Sequence, residues 1–116
     1  MCHVLVIEDE WVIAAHIAGL AEDAGATSVH IAATERDAVE AARGTRPSII
    51  LSDVRLLEGT GPAAVAAIRR AYGPVPVIFI TGTPEDVGPC GQPTVVMAKP
   101  ISGAAVLRQF RSLAPL

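Results

Sequence analysis

Aromatic side chains are scarce in this chain, with only Trp11, Tyr72, Phe79 and Phe110 among 116 residues. Any core must then be built mainly from Val, Ile, Leu and Ala, a supply that suits strands with Ala-rich helices packed closely against them. Cysteine is scarcer still. Cys2 and Cys90 offer no metal-ligand spacing and no disulfide framework, so both are expected as lone thiols. The nine Lys and Arg residues are scattered under a formal charge of −3, which leaves no phosphate-backbone footprint and argues against nucleic acid binding by this chain alone. Long apolar runs are missing too. No stretch approaches the roughly 18 residues of a membrane span, and the short run His3–Ile7 is followed at once by acids, unlike a signal peptide. The expectation is a cytoplasmic protein with no membrane attachment. Its length is that of one ordinary domain, residues 1–116, with no output domain attached.

What is present is an alternation of short apolar runs and helical patterns. The run Pro47–Val54 is too short for a free-standing helix and closes on Asp53, so it reads as a strand buried on both faces, as in a parallel sheet. His3–Ile7 is a similar run that ends in Glu8, Asp9 and Glu10. From Trp11 to Ala24 the residues Ile13, Ile17 and Leu20 recur at helical spacing, and Gly25 supplies a stop. His16 on this helix reads as a packing or flank residue, because no second metal ligand stands near it. Thr27–Ala33 is expected as an edge or near-edge strand, and Thr34 as the N-cap of a helix through about Ala42. A glycine-bearing loop, Val54–Gly61, precedes a helix that has Pro62 in its first turn and runs through Tyr72. Val77–Ile80 is a fourth strand ending in Thr81 and Gly82, and Thr94–Ala98 a fifth ending in Lys99 and Pro100. Ser102 then caps a last helix with Ala105, Val106, Phe110 and Leu113 at core spacing. Between strands four and five, Pro84, Gly88, Pro89, Gly91 and Pro93 allow at most one short turn around Pro84–Val87. Five strands alternating with helices through short links argue for an α/β parallel sheet covered on both faces.

In such a sheet the strands deliver their last residues to one edge, where ligands collect. Glu8 and Asp9, Asp53, Thr81 and Lys99 are therefore expected to converge. Taken singly, each has a bland explanation: a solvated loop acid, turn chemistry, or an exposed charge. Their joint placement at strand ends is what carries information. Two or three carboxylates with room for water make a hard, oxygen-only site that suits Mg²⁺ and wants a phosphate as its remaining ligand. A hydroxyl and an ammonium add donors for phosphoryl oxygens, and a carboxylate can itself be the nucleophile, giving an acyl phosphate. Glu10 fits better as a helix-start residue interacting with the dipole.

On these residues, Val4–Glu10, Ile49–Asp53, Thr81 with Gly82, and Lys99 with Pro100, the sequence resembles a response-regulator receiver domain of two-component signalling over essentially its whole length. The resemblance implies a flavodoxin-like fold with sheet order 2-1-3-4-5, its fourth helix here short or irregular. It implies that Asp53 accepts a phosphoryl group from a sensor histidine kinase or a phosphotransfer protein. By the same match Asp9 and Asp53 bind Mg²⁺ directly, the Arg55 main-chain carbonyl completes the protein ligands, Glu8 acts through a metal-bound water, and Thr81 and Lys99 contact the phosphoryl oxygens. The product is a stand-alone signalling domain rather than an enzyme, one that assists its own phosphorylation and dephosphorylation. Output would pass by contact with an unknown downstream protein or by phosphorelay, with a homodimer among the assemblies it allows.

The chain departs from the usual pattern in two ways. Most receivers carry Tyr or Phe three positions before the lysine, where this chain has Val96, so the threonine-aromatic switch cannot operate in its usual form. Reordering of Thr83–Pro93 is the alternative route, being a low-stability element by composition. Pro76–Gly82 is similar to a receiver subgroup with a Pro-Phe-x-Phe-x-Thr-Gly motif that lacks the aromatic switch, although Val77 replaces its first Phe. Arg55 and Thr83 are expected to border the path of a hydrolytic water. Rival readings fail on particular residues. A haloacid-dehalogenase-like phosphatase needs an acid where Arg55 stands, a dinucleotide-binding domain needs Gly-x-Gly-x-x-Gly after strand one, and a metal-dependent nucleic acid cleaving or joining domain needs Asp-x-Asp at strand three. The remaining competitor is a receiver-like interaction module that works without phosphorylation.

Overall fold

In the computed structural model, which describes residues 2–115, the chain forms β1 (His3–Ile7), α1 (Trp11–Asp23), β2 (Ser28–Ala32), α2 (Glu35–Gly44), β3 (Ile49–Ser52), α3 (Gly61–Tyr72), β4 (Val77–Thr81), β5 (Thr94–Ala98) and α4 (Gly103–Leu113). A single 3₁₀ turn, Pro84–Asp86, lies between β4 and β5. All neighbouring strands are parallel, in the order β2-β1-β3-β4-β5. This is the doubly wound α/β architecture expected from the strand and helix alternation.

The strands are built from β-branched residues whose alternate side chains feed two separate cores, as the pleat requires. Leu5, Ile7, Ile50, Val77 and Phe79 point to one face and pack with Ala38 and Ala42 of α2 and Ala64, Val65 and Ile68 of α3. Val4, Val6, Ile49, Leu51, Ile78 and Ile80 point to the other and meet Ala14, Ile17 and Ala21 of α1 and Val106 and Phe110 of α4. The stripe on α1 therefore centres on Ala14, Ile17 and Ala21, with Ile13 and Leu20 on its flank. The small alanines are what bring this helix down onto the sheet. His16 is exposed, as a flank residue should be.

Helix starts follow the capping chemistry of the sequence. Thr34 accepts a hydrogen bond from the Asp37 N–H at 3.1 Å, Thr60 from the Ala63 N–H at 3.2 Å, and Ser102 from the Ala105 N–H at 3.3 Å. The central strand is shorter than its apolar run, because Pro47 and Ser48 lie before its first ladder pair. Where a fourth helix would cover the sheet beside α3 there is only the 3₁₀ turn and the chain after it. Val87 of this segment enters the α2–α3 core, and Cys90 packs against it. As a result Val96, which alternates with the inward-facing Val95 and Met97, is 43% exposed.

The segment is tied down from below instead. The Arg69 guanidinium, on α3, donates to the carbonyls of Gly91 at 2.9 Å and Pro93 at 2.7 Å as well as that of Val75 at 2.9 Å. Burial lowers its pKa, yet three carbonyl acceptors satisfy it. One arginine thus fixes the far end of the stretch that replaces a helix.

Candidate functional site

Each candidate residue stands at, or one to three positions beyond, the end of a strand, and main-chain bonds at three of them extend the ladder. The Glu8 N–H donates to the Ala32 carbonyl at 2.9 Å, the Asp53 N–H to Ile7 at 2.8 Å, and the Lys99 N–H to Thr81 at 2.9 Å.

The Lys99 ammonium, one residue past β5, lies 3.0 Å from Glu8 Oε1 and 3.0 Å from Asp53 Oδ2. Residues 91 and 46 positions apart in the chain are brought into one ion-pair group. Asp9 completes the acidic side: carboxylate oxygens of Glu8, Asp9 and Asp53 all lie within 4.8 Å of one another. Among the described residues no other group of three potential metal ligands occurs. The other Asp53 oxygen, Oδ1, accepts from the Val54 N–H at 2.7 Å, so one oxygen faces the ammonium and one is held by the backbone.

Burial governs the electrostatics. Glu8 is 2% exposed, and desolvation pushes its pKa from 4.5 up to about 6, opposed by the Lys99 hydrogen bond and the Glu10 N–H and raised further by the Asp53 charge. For Lys99, burial lowers the pKa, but hydrogen bonds and charge from Asp53 and Glu8 outweigh it and the net shift is upward. The ammonium is therefore charged at any neutral pH. One ammonium among three carboxylates leaves negative charge over, which is the chemistry of an oxygen-ligand site for a hard dication.

Thr81, the last residue of β4, is buried, and its hydroxyl accepts from the Thr83 N–H at 3.0 Å and lies 3.2 Å from the Thr83 hydroxyl. Its oxygen is engaged with the following segment rather than with a carboxylate. Arg55 sits in the loop after β3, where it forms an isolated antiparallel bridge with Thr60, and its side chain points out to Asp86, with Nε at 3.2 Å and Nη2 at 2.7 Å from Oδ2. The structure thus brings Glu8, Asp9, Asp53 and Lys99 together directly. Thr81 and Arg55 adjoin them through the backbone.

Supporting residues were not apparent from the sequence. Gly61 has no room for a side chain, since a Cβ there would overlap the Asp53 carbonyl and the Ser52 hydroxyl. Glu35 on α2 accepts from the Thr60 N–H at 3.1 Å while its own N–H donates to Glu58, which fastens the loop after Asp53. Asp86 and Arg69 are the anchors of the segment after β4. A Thr-Gly-Pro string after a loop hints at Gly61; the other three carry no local signal.

The family model for the response regulator receiver domain matches residues 4–89. The chain is 38% identical over 107 residues to the phyllosphere-induced regulator PhyR of Methylorubrum extorquens, covering 89% of this chain but only 40% of that protein. It superposes on the solution structure of the Erythrobacter litoralis PhyR receiver domain with a TM-score of 0.84 at 32% identity, covering 97% of this chain and 88% of that one. The receiver domain of the Pseudomonas aeruginosa sensor histidine kinase PA1611, solved with a magnesium ion coordinated in its active-site cleft, superposes with a TM-score of 0.83 at 28% identity, covering 97% and 96% of the two chains.

Proposed function

This chain belongs to the response regulator receiver domain family, and on that premise we propose that it is a phosphoacceptor whose Asp53 takes a phosphoryl group from the phosphohistidine of a sensor kinase or phosphotransfer protein. The observation that carries this reading is the Lys99 ammonium held 3.0 Å from both Asp53 and Glu8 on one sheet edge. An Asp53 oxygen attacks phosphorus, the P–N bond of the donor breaks, its electron pair returns to the imidazole, and an acyl phosphate results. Lys99 orients the carboxylate beforehand and takes charge from a phosphoryl oxygen afterwards. Thr81 supplies a hydroxyl donor to a second oxygen.

Three carboxylates in reach of one another, with one ammonium to the side, fit a magnesium site. Asp9, Asp53 and the Arg55 carbonyl would hold the ion, with Glu8 acting through water. When bound it supplies charge neutralisation to the incoming phosphoryl oxygens. Glu8, too buried to be a free solvated acid, sets the position of Lys99. Signalling follows by contact with a downstream protein or by relay, and the domain acts in the cytoplasm without membrane attachment.

Incubation with Mg²⁺ and acetyl phosphate tests the reading. Intact mass should rise by one phosphoryl group in the wild type and not in Asp53→Asn. A wild type that gains no mass and shows no Asp53-dependent response to beryllofluoride would instead be an interaction module that has abandoned phosphate.

A further inference from the structure

The turn Pro84–Asp86 is attached to the site at two points, and both attachments use groups that a phosphoryl oxygen would also recruit. At one, the Thr83 N–H donates to the Thr81 hydroxyl at 3.0 Å, and the Asp86 N–H donates to the Thr83 carbonyl at 2.9 Å. At the other, Asp86 Oδ2 takes Nε and Nη2 of Arg55, two residues after Asp53. These contacts form an arc at the mouth of the site, running from Arg55, two residues after Asp53, through Asp86 and Thr83 to Thr81. The third attachment, Arg69 on Gly91 and Pro93, lies at the other end of the segment and has no link to the site.

The Arg55–Asp86 pair is weak by construction. The two side chains are 73% and 38% exposed, and exposed pairs contribute little net stability. A phosphoryl group offers the same guanidinium more charge and the same two-pronged geometry. We propose that a phosphoryl group on Asp53 and the carboxylate of Asp86 compete for Arg55, so that phosphorylation unfastens Pro84–Asp86 from the site while Arg69 keeps the segment tethered. This regulation rests on the phosphoacceptor reading above. It gives the domain an exit for its signal that needs no aromatic ring at Val96. Asp86 acts as a positioning residue: by holding Arg55 off the phosphoryl group it shortens the life of the phosphorylated state.

The test is a double-mutant cycle on full-length protein phosphorylated with acetyl phosphate, read as the decay of the phosphorylated mass after donor removal. Asp86→Asn should lengthen the lifetime by about two- to fivefold, the range that an exposed ion pair can supply. Asp86→Glu should restore it, and Asp86→Asn should have no effect in an Arg55→Ala background. Amide exchange supplies a second readout. Beryllofluoride should speed exchange at Asp86 and Val87 in the wild type, and Asp86→Asn should show that faster exchange without it. An Asp86→Asn effect of equal size with and without Arg55, or Asp86 and Val87 amides indifferent to beryllofluoride, overturns the competition while leaving phosphorylation intact. A wild type that takes up neither phosphate nor beryllofluoride overturns the underlying reading and the competition together.

Discussion

Replacing Lys99 by Met isolates the charge at the centre of the site, since the aliphatic stem is kept while the partner of two carboxylates is lost. The size of the effect follows from Glu8, which is fully shielded from solvent at its side chain. In the metal-free wild type its pKa is raised from 4.5 to about 6. A raised carboxyl pKa means the folded state holds the proton more tightly, so this stabilising effect is complete below about pH 4.5 and is lost as pH rises through about 6. At about pH 7.5, keeping Glu8 ionised in the fold costs the wild type about 2 kcal/mol, from 1.36 kcal/mol per pKa unit. Without the ammonium, the pKa climbs further, until folding with Glu8 protonated is the cheaper course. Protonating a carboxyl of ordinary pKa at about pH 7.5 costs about 4 kcal/mol. Through Glu8 the variant can therefore lose at most about 2 kcal/mol more than the wild type at that pH, about 8 °C in Tm for a domain of this size. At about pH 5 the Glu8 carboxyl is largely protonated in both folded proteins, so the Glu8 part of the difference falls close to zero and only the loss of the Lys99–Asp53 pair remains. Thermal denaturation of both proteins across this range in chelator checks it. An equal Tm loss at both ends would show that the Glu8 charge plays no part in what Lys99 contributes.

Other perturbations probe the scaffold. Gly61→Ala should cost at least about 2 kcal/mol and slow phosphorylation by acetyl phosphate, because its Cβ would displace the Asp53 carbonyl; chemical denaturation alongside phosphorylation kinetics measures both. Arg69→Met should cost about 2 kcal/mol and speed amide exchange over residues 88–94 without altering the Lys99 contacts, since three carbonyls lose a charged donor far from the site. Mg²⁺ at about 100 times its dissociation constant should stabilise the wild type by about 2.7 kcal/mol, and Asp9→Asn should abolish most of this gain in a titration followed by Tm. Removal of the ion with chelator should return the wild type to its starting Tm.

The sheet edge was legible because strand ends are chemically abrupt. A strand buried on both faces must be apolar along its length, and the first polar residue marks where the cores stop. Glu8 and Lys99 each occupy that first position, Asp53 follows the buried Ser52 that ends β3, and the N–H groups of all three still bond to the neighbouring strand. The order of the strands then settles which ends meet. What stayed hidden depends on pairs that no local pattern encodes. Arg69 meets Gly91 and Pro93 only because the chain after β4 fails to form a helix and leaves its carbonyls turned inward. Asp86 reaches Arg55 across 31 residues of sequence, between two exposed side chains. Proline and glycine in that stretch told of a missing helix but not of what holds its replacement.

The two arginines divide that labour in a way that follows from burial. Arg69 is partly buried, gives its donors to main-chain carbonyls that cannot leave, and lies away from any titrating carboxylate, so its hold is permanent. Arg55 is exposed, gives its donors to one side-chain carboxylate, and stands two residues from Asp53, so its hold is exchangeable. A segment fixed at one end by the first and at the other by the second can move only by hinging, and only when charge near Asp53 changes. The shortened segment and the missing aromatic at Val96 are then parts of one arrangement: with no helix to shift and no ring to turn inward, an exchangeable ion pair on a tethered strap is the element left to carry the change.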